Sequence, residues 1–511
     1  MALVASVTRN FYRDSVALMQ LSARLLTLPG VRQASAVMAS ANNLALLREA
    51  GLLAGDVAAG PNDLLVALDG EEAAVAAALA EAERTLNETP TGGPAGGPRR
   101  QPPRSLEMGL EAAPAASLAL ISTPGEYAGA EAMKALRLGL HVMLFSDNVP
   151  LDDEVTLKRY AAAHDLLVMG PDCGTAIIAG VPLGFANAVR RGSIGLVGAS
   201  GTGLQQVSCL IDRLGGGISQ IIGTGGHDLS REVGGITMLQ GLAALATDPE
   251  TRVIVLISKP PSPDVAARVL DEARAAGKPV VVNFIGADPC LVSTLGLIPA
   301  RTLEDAAILA VEAATGRPPE HTAAGAPDAP RLAAGQRYVR GLFSGGTFCY
   351  EATLLLAEAL PDVHSNTPVG GAEVPESVWQ SRGHTLIDLG DDVFTRGRPH
   401  PMIDARLRLE RMAAEARDPT TAVILLDVVL GYGAHPDPAS VIAPAIATAI
   451  AEAEAAQRQL AVVGFVCGTA ADPQNLEHQE ALLRAAGMRL ARSNAEAARL
   501  AARIAATAER V

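Results

Sequence analysis

The residues that could do chemistry in this chain gather at short glycine-rich turns. In Gly198-Ala-Ser-Gly-Thr-Gly203 the apolar run SIGLV passes straight into a helix-forming stretch. Three glycines let the backbone approach a ligand, and the first-turn N–H groups and dipole of the helix that follows would face it. Gly198, Ser200, Gly201, Thr202 and Gly203 are therefore candidates for holding an anion, phosphate above all. The competing reading is that the glycines only allow tight strand-to-helix packing. The spacing lacks the Gly-Lys-Ser/Thr of a P-loop and the downstream acid of a dinucleotide fingerprint. A second turn of the same kind, Gly341-Leu-Phe-Ser-Gly-Gly-Thr347, adds Ser344, Gly345, Gly346 and Thr347. Two helix N-termini, each worth roughly half a positive charge, could face one dianionic phosphoryl group if their domains pack pseudo-symmetrically.

Two further turns, Gly223-Thr-Gly-Gly-His-Asp228 and Asp388-Leu-Gly-Asp-Asp392, fall at strand ends, the edge where open α/β sheets bind ligands. Gly225, Gly226 and Asp228 are candidates for contacting substrate there. His227 is either a general acid/base or phosphoryl acceptor, or a ring that merely hydrogen-bonds its own loop. Lys259, at the end of VIVLIS, is a second catalytic candidate or else a surface lysine. Arg396 and Arg398, with His400 in Phe394-Thr-Arg-Gly-Arg-Pro-His400, make a cationic stretch that could clamp a carboxylate or simply be a solvated loop. Asp388, Asp391 and Asp392 could attract a cation, but no spacing identifies a metal site, and the five cysteines are never paired as CxxC.

The elements that must position these turns are those of layered α/β proteins. Hydrophobic residues make up 49% of the 511 residues but aromatics only 3%, so the cores are built of Ala, Val, Leu and Ile, as in helix-covered parallel sheets. A net charge of −14 argues against a nucleic-acid surface. The N-terminus MALVASVTRNFYRDS lacks an apolar signal core and no run is long enough to span a membrane, so a cytoplasmic protein without membrane contact is expected.

Composition divides the chain. Residues 1–88 read as a small α/β module, and 89–114 open with the Gly/Pro-rich linker TPTGGPAGGPRRQPPRS. Residues 115–180 read as a βαβαβ unit running from SLALISTPG to LLVMGPDCG. Residues 192–315 restart the pattern, 316–336 form a second linker, and 337–511 repeat it once more. Asp248-Pro-Glu-Thr-Arg-Val-Ile-Val-Leu256 aligns with Asp418-Pro-Thr-Thr-Ala-Val-Ile-Leu-Leu426, so one doubly wound, flavodoxin-like sheet is expected twice.

With LLVMGPDCGTAIIAG, SIGLVGASGTGLQQ, IIGTGGHD and SGGTFCYEA in this order, the chain resembles the succinyl-CoA synthetase ligases, and within them the FdrA group of α/β fusions. The resemblance implies a fold of a small N-terminal α/β module, a partial Rossmann-like CoA-binding domain (115–180), and two flavodoxin-like ligase domains, α-like (192–315) and β-like (337–511). It also exposes departures. The family's phosphohistidine would follow the strand VVVNFIG, where this chain reads ADPCLVSTLGLIP, and the steadying glutamate would fall at Ser258-Lys-Pro-Pro-Ser262. No segment resembles an ATP-grasp domain. The FdrA resemblance implies a subunit of an oxamate carbamoyltransferase that phosphorolyses oxalurate to oxamate and carbamoyl phosphate in ureide breakdown. Phosphate and a small ureide carboxylate are then the substrates, with hetero-oligomeric partner subunits and no certain cofactor. The alternatives are an acyl-CoA ligase with a nucleotide-binding partner, requiring CoA, ATP and Mg²⁺, and a non-catalytic scaffold whose ligase domains bind an effector.

Overall fold

The computed structural model describes residues 2–13, 15–55, 57–87, 103–320, 332–395 and 399–508. Much of both Gly/Pro-rich linker segments lies outside them. The first unit contains β1 (Ala2–Thr8), α1 (Ser15–Leu26), β2 (Val31–Met38), α2 (Ala41–Glu49), β3 (Leu64–Gly70) and α3 (Glu72–Asn87). Its sheet is antiparallel in the order β1-β3-β2. The central strand alternates its side chains between two covered faces: Leu64, Val66 and Leu68 pack against α1 and α3, while Leu65 and Ala67 pack against α2.

The second unit contains α4 (Leu106–Ala112), β4 (Leu118–Ile121), α5 (Gly125–Arg137), β5 (His141–Leu144), α6 (Leu151–Ala163) and β6 (Val168–Met169), with a parallel sheet in the order β4-β5-β6. Ala128, Ala132 and Ala135, spaced on one face of α5, are completely buried and let the helix lie close on that sheet. The chain then makes a hairpin, β7 (Thr175–Ile178) and β8 (Val181–Gly184). This hairpin belongs to the next sheet rather than to the 115–180 unit, because β7 pairs antiparallel with a strand of that sheet at Ile177↔Ile221.

The third unit comprises β9 (Arg191–Gly198), α7 (Gly201–Arg213), β10 (Ile218–Gly223), α8 (Ile236–Thr247), β11 (Val253–Ser258), α9 (Pro263–Ala275), β12 (Val280–Phe284), α10 (Pro289–Ser293), β13 (Ile298–Pro299) and α11 (Leu303–Thr315). The fourth comprises β14 (Tyr338–Phe343), α12 (Gly346–Ala359), β15 (Val363–Ser365), β16 (His384–Asp388), α13 (Asp392–Thr395), α14 (Arg406–Arg417), β17 (Thr421–Val429), α15 (Pro438–Ala455), β18 (Ala461–Cys467), α16 (Leu476–Ala485), β19 (Arg489–Ala491) and α17 (Asn494–Ala508).

Five parallel strands of each run in matching orders, β10-β9-β11-β12-β13 and β16-β14-β17-β18-β19, and the fourth unit adds β15 parallel to β16 at its edge. The repeat read from DPETRVIVL and DPTTAVILL is thus a repeat of topology, with β11 and β17 in equivalent places. Every residue of β11 and of β17 is buried, as expected of strands covered by helices on both faces. Each sheet has a core of its own, and the two share another. Leu204 and Val207 of α7, Ala306 of α11, Phe348 and Ala352 of α12 and Ala501 of α17 belong to one hydrophobic cluster, so the two repeats pack helix layer to helix layer. That packing brings the first turns of α7 and α12 together.

Candidate functional site

At the start of α7, Ser200 is in extended conformation and its Oγ accepts a hydrogen bond from the Gly203 N–H at 3.0 Å, an N-cap. The same Oγ lies 2.6 Å from Thr347 Oγ1 on α12. Across from it, a Cβ built on Gly345, the N-cap of α12, would come 2.8 Å from Thr202 Cγ2. The N-cap of each helix therefore meets the second helical residue of the other, which is the arrangement a local pseudo-two-fold axis requires. Ser200, Thr202, Gly345 and Thr347 are buried in this contact, while Gly201 and Gly346 are partly open. As the first residues of their helices, Gly201 and Gly346 carry N–H groups with no intrahelical acceptor.

Several of the anion-binding candidates have other duties. Gly198 lies within the sheet, and a Cβ there would meet the Ile257 carbonyl at 2.9 Å; at Gly203 it would meet Ser200 Oγ at 2.3 Å. These two glycines serve packing and capping. The hydroxyls of Ser200 and Thr347 are committed to each other. Ser344 is buried with its N–H 2.8 Å from Asp427 Oδ1 and its hydroxyl donating to the same carboxylate, which also pairs with Arg408. Its hydroxyl is thereby committed to that carboxylate.

The two helix starts also differ electrostatically. A Cβ on Gly346 would lie 2.5 Å from Asp388 Oδ2, so the positive end of α12 already has a carboxylate beside it. The nearest neighbour of a Cβ on Gly201 would be the Thr175 hydroxyl at 3.6 Å, which is uncharged. Burial raises the Asp388 carboxyl to about 6 against the lowering influence of the Lys259 cation. Lys259 reaches from the end of β11 to the fourth unit, its Nζ 5.4 Å from the Tyr350 ring on α12.

The loop after β10 packs under α6. Lys158 is completely buried and its Nζ lies 2.8 Å from Glu154 Oε1, from Asp228 Oδ1 and from the Thr224 carbonyl. Asp228, also fully buried, accepts the N–H groups of Thr237 and Met238 at the start of α8. Asp228 thus anchors the loop to α6 and to the start of α8. Gly225, with φ of +85°, runs against the Pro171 carbonyl, which a Cβ would meet at 2.3 Å; Gly226 is exposed. His227 points outward with 72% of its side chain exposed, and its Nδ1 lies 3.4 Å from Glu154 Oε2. Its contact with the Glu154 carboxylate holds the ring above the ordinary imidazole value, with burial acting the other way.

Facing His227 is a carboxylate group that the turns alone did not reveal. Asp172, in the Gly-Pro-Asp-Cys segment, keeps part of its side chain exposed while protein crowds its carboxyl. That desolvation, with the charges of Asp147 and Asp392 nearby, raises it to about 7. Asp147 is raised in the same way, by burial and by Asp392. Asp172 could have been noticed at the end of its strand. Glu154 and Lys158 could not, because an acid and a base four apart on a helix are the ordinary pattern of a solvated face. Arg396 and Arg398 lie outside the described residues. His400 is not cationic: burial lowers it to about 4, and its Nδ1 accepts the Met402 N–H at 3.2 Å.

Beyond the carboxyl ends of β4 and β5 is a crevice of about 570 Å³ lined largely by apolar groups, among them Leu120, Ile121, Phe145 and Phe185, with Tyr12 from the first unit. Among the described residues no group of three or more His, Cys, Asp or Glu side chains is placed to hold a metal ion, and no helix is long and apolar enough to cross a membrane.

Comparison with known proteins matches residues 1–102 to the family described as AllF, heavy metal-associated domain, residues 189–286 to the CoA binding domain, and residues 342–504 to CoA-ligase. The CoA binding match falls on the segment that the sequence reading took as the first ligase domain. Residues 1–102 contain neither cysteine nor histidine, so the thiolates and imidazoles that a soft metal prefers are missing from the heavy metal-associated segment. The Escherichia coli protein YahF is 43% identical over 500 residues, covering 96% of each chain. The ADP-forming sulfoacetate-CoA ligase subunit SauD of Bilophila wadsworthia is 26% identical over 36% of this chain and 63% of its own. Succinate–CoA ligase [ADP-forming] subunit alpha 2 of Archaeoglobus fulgidus is 28% identical over 34% and 59%. Among solved structures, the dinucleotide-forming acetyl-coenzyme A synthetase 1 of Ca. Korarchaeum cryptofilum matches 77% of this chain and 84% of its own at 17% identity with a TM-score of 0.33.

Proposed function

The chain belongs to the YahF family, CoA-ligase-related proteins with an AllF-type N-terminal domain, and from that footing we propose that it is an enzyme subunit transferring a carbamoyl group to phosphate. Oxalurate and phosphate would give oxamate and carbamoyl phosphate, a step of ureide and allantoin breakdown. The observation that carries this reading is the meeting of the α7 and α12 first turns. It leaves Gly201 partly open, on the side of the fold where Asp388 lies near both Lys259 and Asp172, and Asp172 near His227.

The site residues divide the work as follows. First-turn N–H groups at Gly201 and Thr202 hold the phosphoryl oxygens, and the α7 dipole favours their charge. A phosphate oxygen attacks the carbamoyl carbon, and the bond from that carbon to the oxamate nitrogen breaks. The proton of hydrogen phosphate passes to the departing nitrogen through His227. Lys259 stabilises the charge that develops on the carbamoyl oxygen. Asp172, raised to about 7, can be protonated near neutrality and then donate to an anion instead of repelling it. Hetero-oligomeric partners, as the subunit names of the ligase relatives suggest, complete the enzyme.

The test is phosphate-dependent turnover of oxalurate by the chain co-purified with its partner subunits, read as carbamoyl phosphate formed. Gly201→Val, which places a branched side chain over the open N–H groups, should abolish it. An absence of phosphate-dependent turnover in the wild-type complex sinks the proposal. The 570 Å³ crevice favours a second reading, an acyl-CoA ligase working with a nucleotide-binding partner, because its largely apolar lining would suit a pantetheine-like arm. Thioester formation that requires CoA, ATP and Mg²⁺ would select that reading.

A further inference from the structure

Glu154 lies on α6, outside every glycine turn, and is almost wholly buried, with its two oxygens turned to different partners. Oε1 is 2.8 Å from Lys158 Nζ, and Oε2 is 3.4 Å from His227 Nδ1. Lys158 is itself shared with Asp228 and with the Thr224 carbonyl, so α6 grips both the base of the loop and the imidazole at its tip. A buried carboxylate 3.4 Å from Nδ1 favours a proton on that nitrogen and biases the ring's orientation, leaving Nε2 as the nitrogen free to exchange one.

We propose that Glu154 is the positioning residue of His227, so that α6 supplies the orienting half of the crevice's proton-transfer unit. The charged groups that face the ring are Glu154 and Lys158 from α6 and Asp172 from the loop after β6. Glu154 and Asp172 favour the protonated ring and Lys158 opposes them, and Glu154 has the largest influence because it touches the ring. A proton accepted at Nε2 and returned to the departing nitrogen leaves the ring as it began. This inference deepens the function proposed above and rests on it for the substrate and for the proton-transfer role of His227, while the contact that orients the ring stands on the geometry alone.

The test uses the full chain with labelled histidine, titrated by NMR and with the His227 signal assigned by its loss in His227→Gln. In Glu154→Gln the His227 midpoint should fall below that of the wild type, and kcat for phosphate-dependent turnover should fall by about 10²-fold or more with little change in the phosphate KM. Should Glu154→Gln fail to fold, Glu154→Asp keeps a charge near Lys158 while drawing it back from the ring, and the same fall is expected. An unchanged midpoint in every variant that folds overturns the inference. A lowered midpoint in a protein that shows no turnover of oxalurate upholds the positioning role and removes the carbamoyl-transfer reading.

Discussion

Replacing Lys158 by Met keeps the aliphatic stem and removes the ammonium from between two buried acids. Lys158 has no exposed surface, and Glu154 and Asp228 are 1% and 0% exposed at their side chains. The variant leaves both carboxylates without their cation in a place that water cannot reach. Asp228 retains two N–H donors, from Thr237 at 3.1 Å and Met238 at 2.9 Å, and Glu154 retains His227. These relieve part of the charge but not its burial. Breaking a buried pair by removing one partner costs about 3–5 kcal/mol. At about 2–4 °C per kcal/mol for a cooperative unit of this size, the transition should fall by about 6–20 °C. Differential scanning calorimetry at pH 7.5 measures it, and fluorescence of Trp379, which sits in the fourth unit, shows whether that unit melts separately. Changing Glu154 to Gln and Asp228 to Asn on top of Lys158→Met should recover most of the loss. A drop of under about 1 kcal/mol for Lys158→Met alone would show that the network is not buried as described.

Ser200→Ala should cost about 1 kcal/mol through the lost cap, and in a double-mutant cycle with Thr347→Ala the two changes should couple by about 0.5–1.5 kcal/mol; additivity by urea denaturation would mean that the hydroxyls do not meet. Glu351 is buried and accepts from the Leu303 N–H and Asn494, and burial raises its carboxyl to about 7. Because the folded value lies above the unfolded one, its contribution to stability is complete below about pH 4.5 and is lost as pH rises to about 7. Glu351→Gln should flatten the wild-type decline in melting temperature over that window, and an unaltered pH profile would refute the assignment.

The parallel strands were legible because burial on both faces leaves an uninterrupted apolar run, as in AVILLDVV of β17, and the repeat was legible because both copies keep the same turn ahead of that run. The glycine turns showed where the helices begin. They did not show where each hydroxyl points, since Ser200 and Ser344 look alike in sequence and one caps its own helix and meets Thr347 across the pseudo-axis while the other is locked to Asp427. The β7–β8 hairpin turns at Ala179 and Gly180, both at positive φ, and its place in the sheet depends on a pairing with Ile221 more than forty residues away, which no local pattern carries. The Glu154–Lys158 pair was hidden for a similar reason. Its spacing is that of a surface pair, and only the tertiary placement of the Gly223–Asp228 loop turns it inward.

The contact of Ser200 with Thr347 and of Thr202 with Gly345 has a consequence for how the crevice can read a molecule. In a dimer of identical chains the axis between two such helices would make both sides the same, and a ligand lying across it would have no preferred direction. Here both halves are written in one chain, so each side has diverged alone: a serine cap against a glycine cap, a hydroxyl near Gly201 against a carboxylate near Gly346. One end of the crevice therefore repels what the other attracts. An unsymmetrical molecule, charged at one end and amide-like at the other, can be held in a single orientation without any additional domain to specify it.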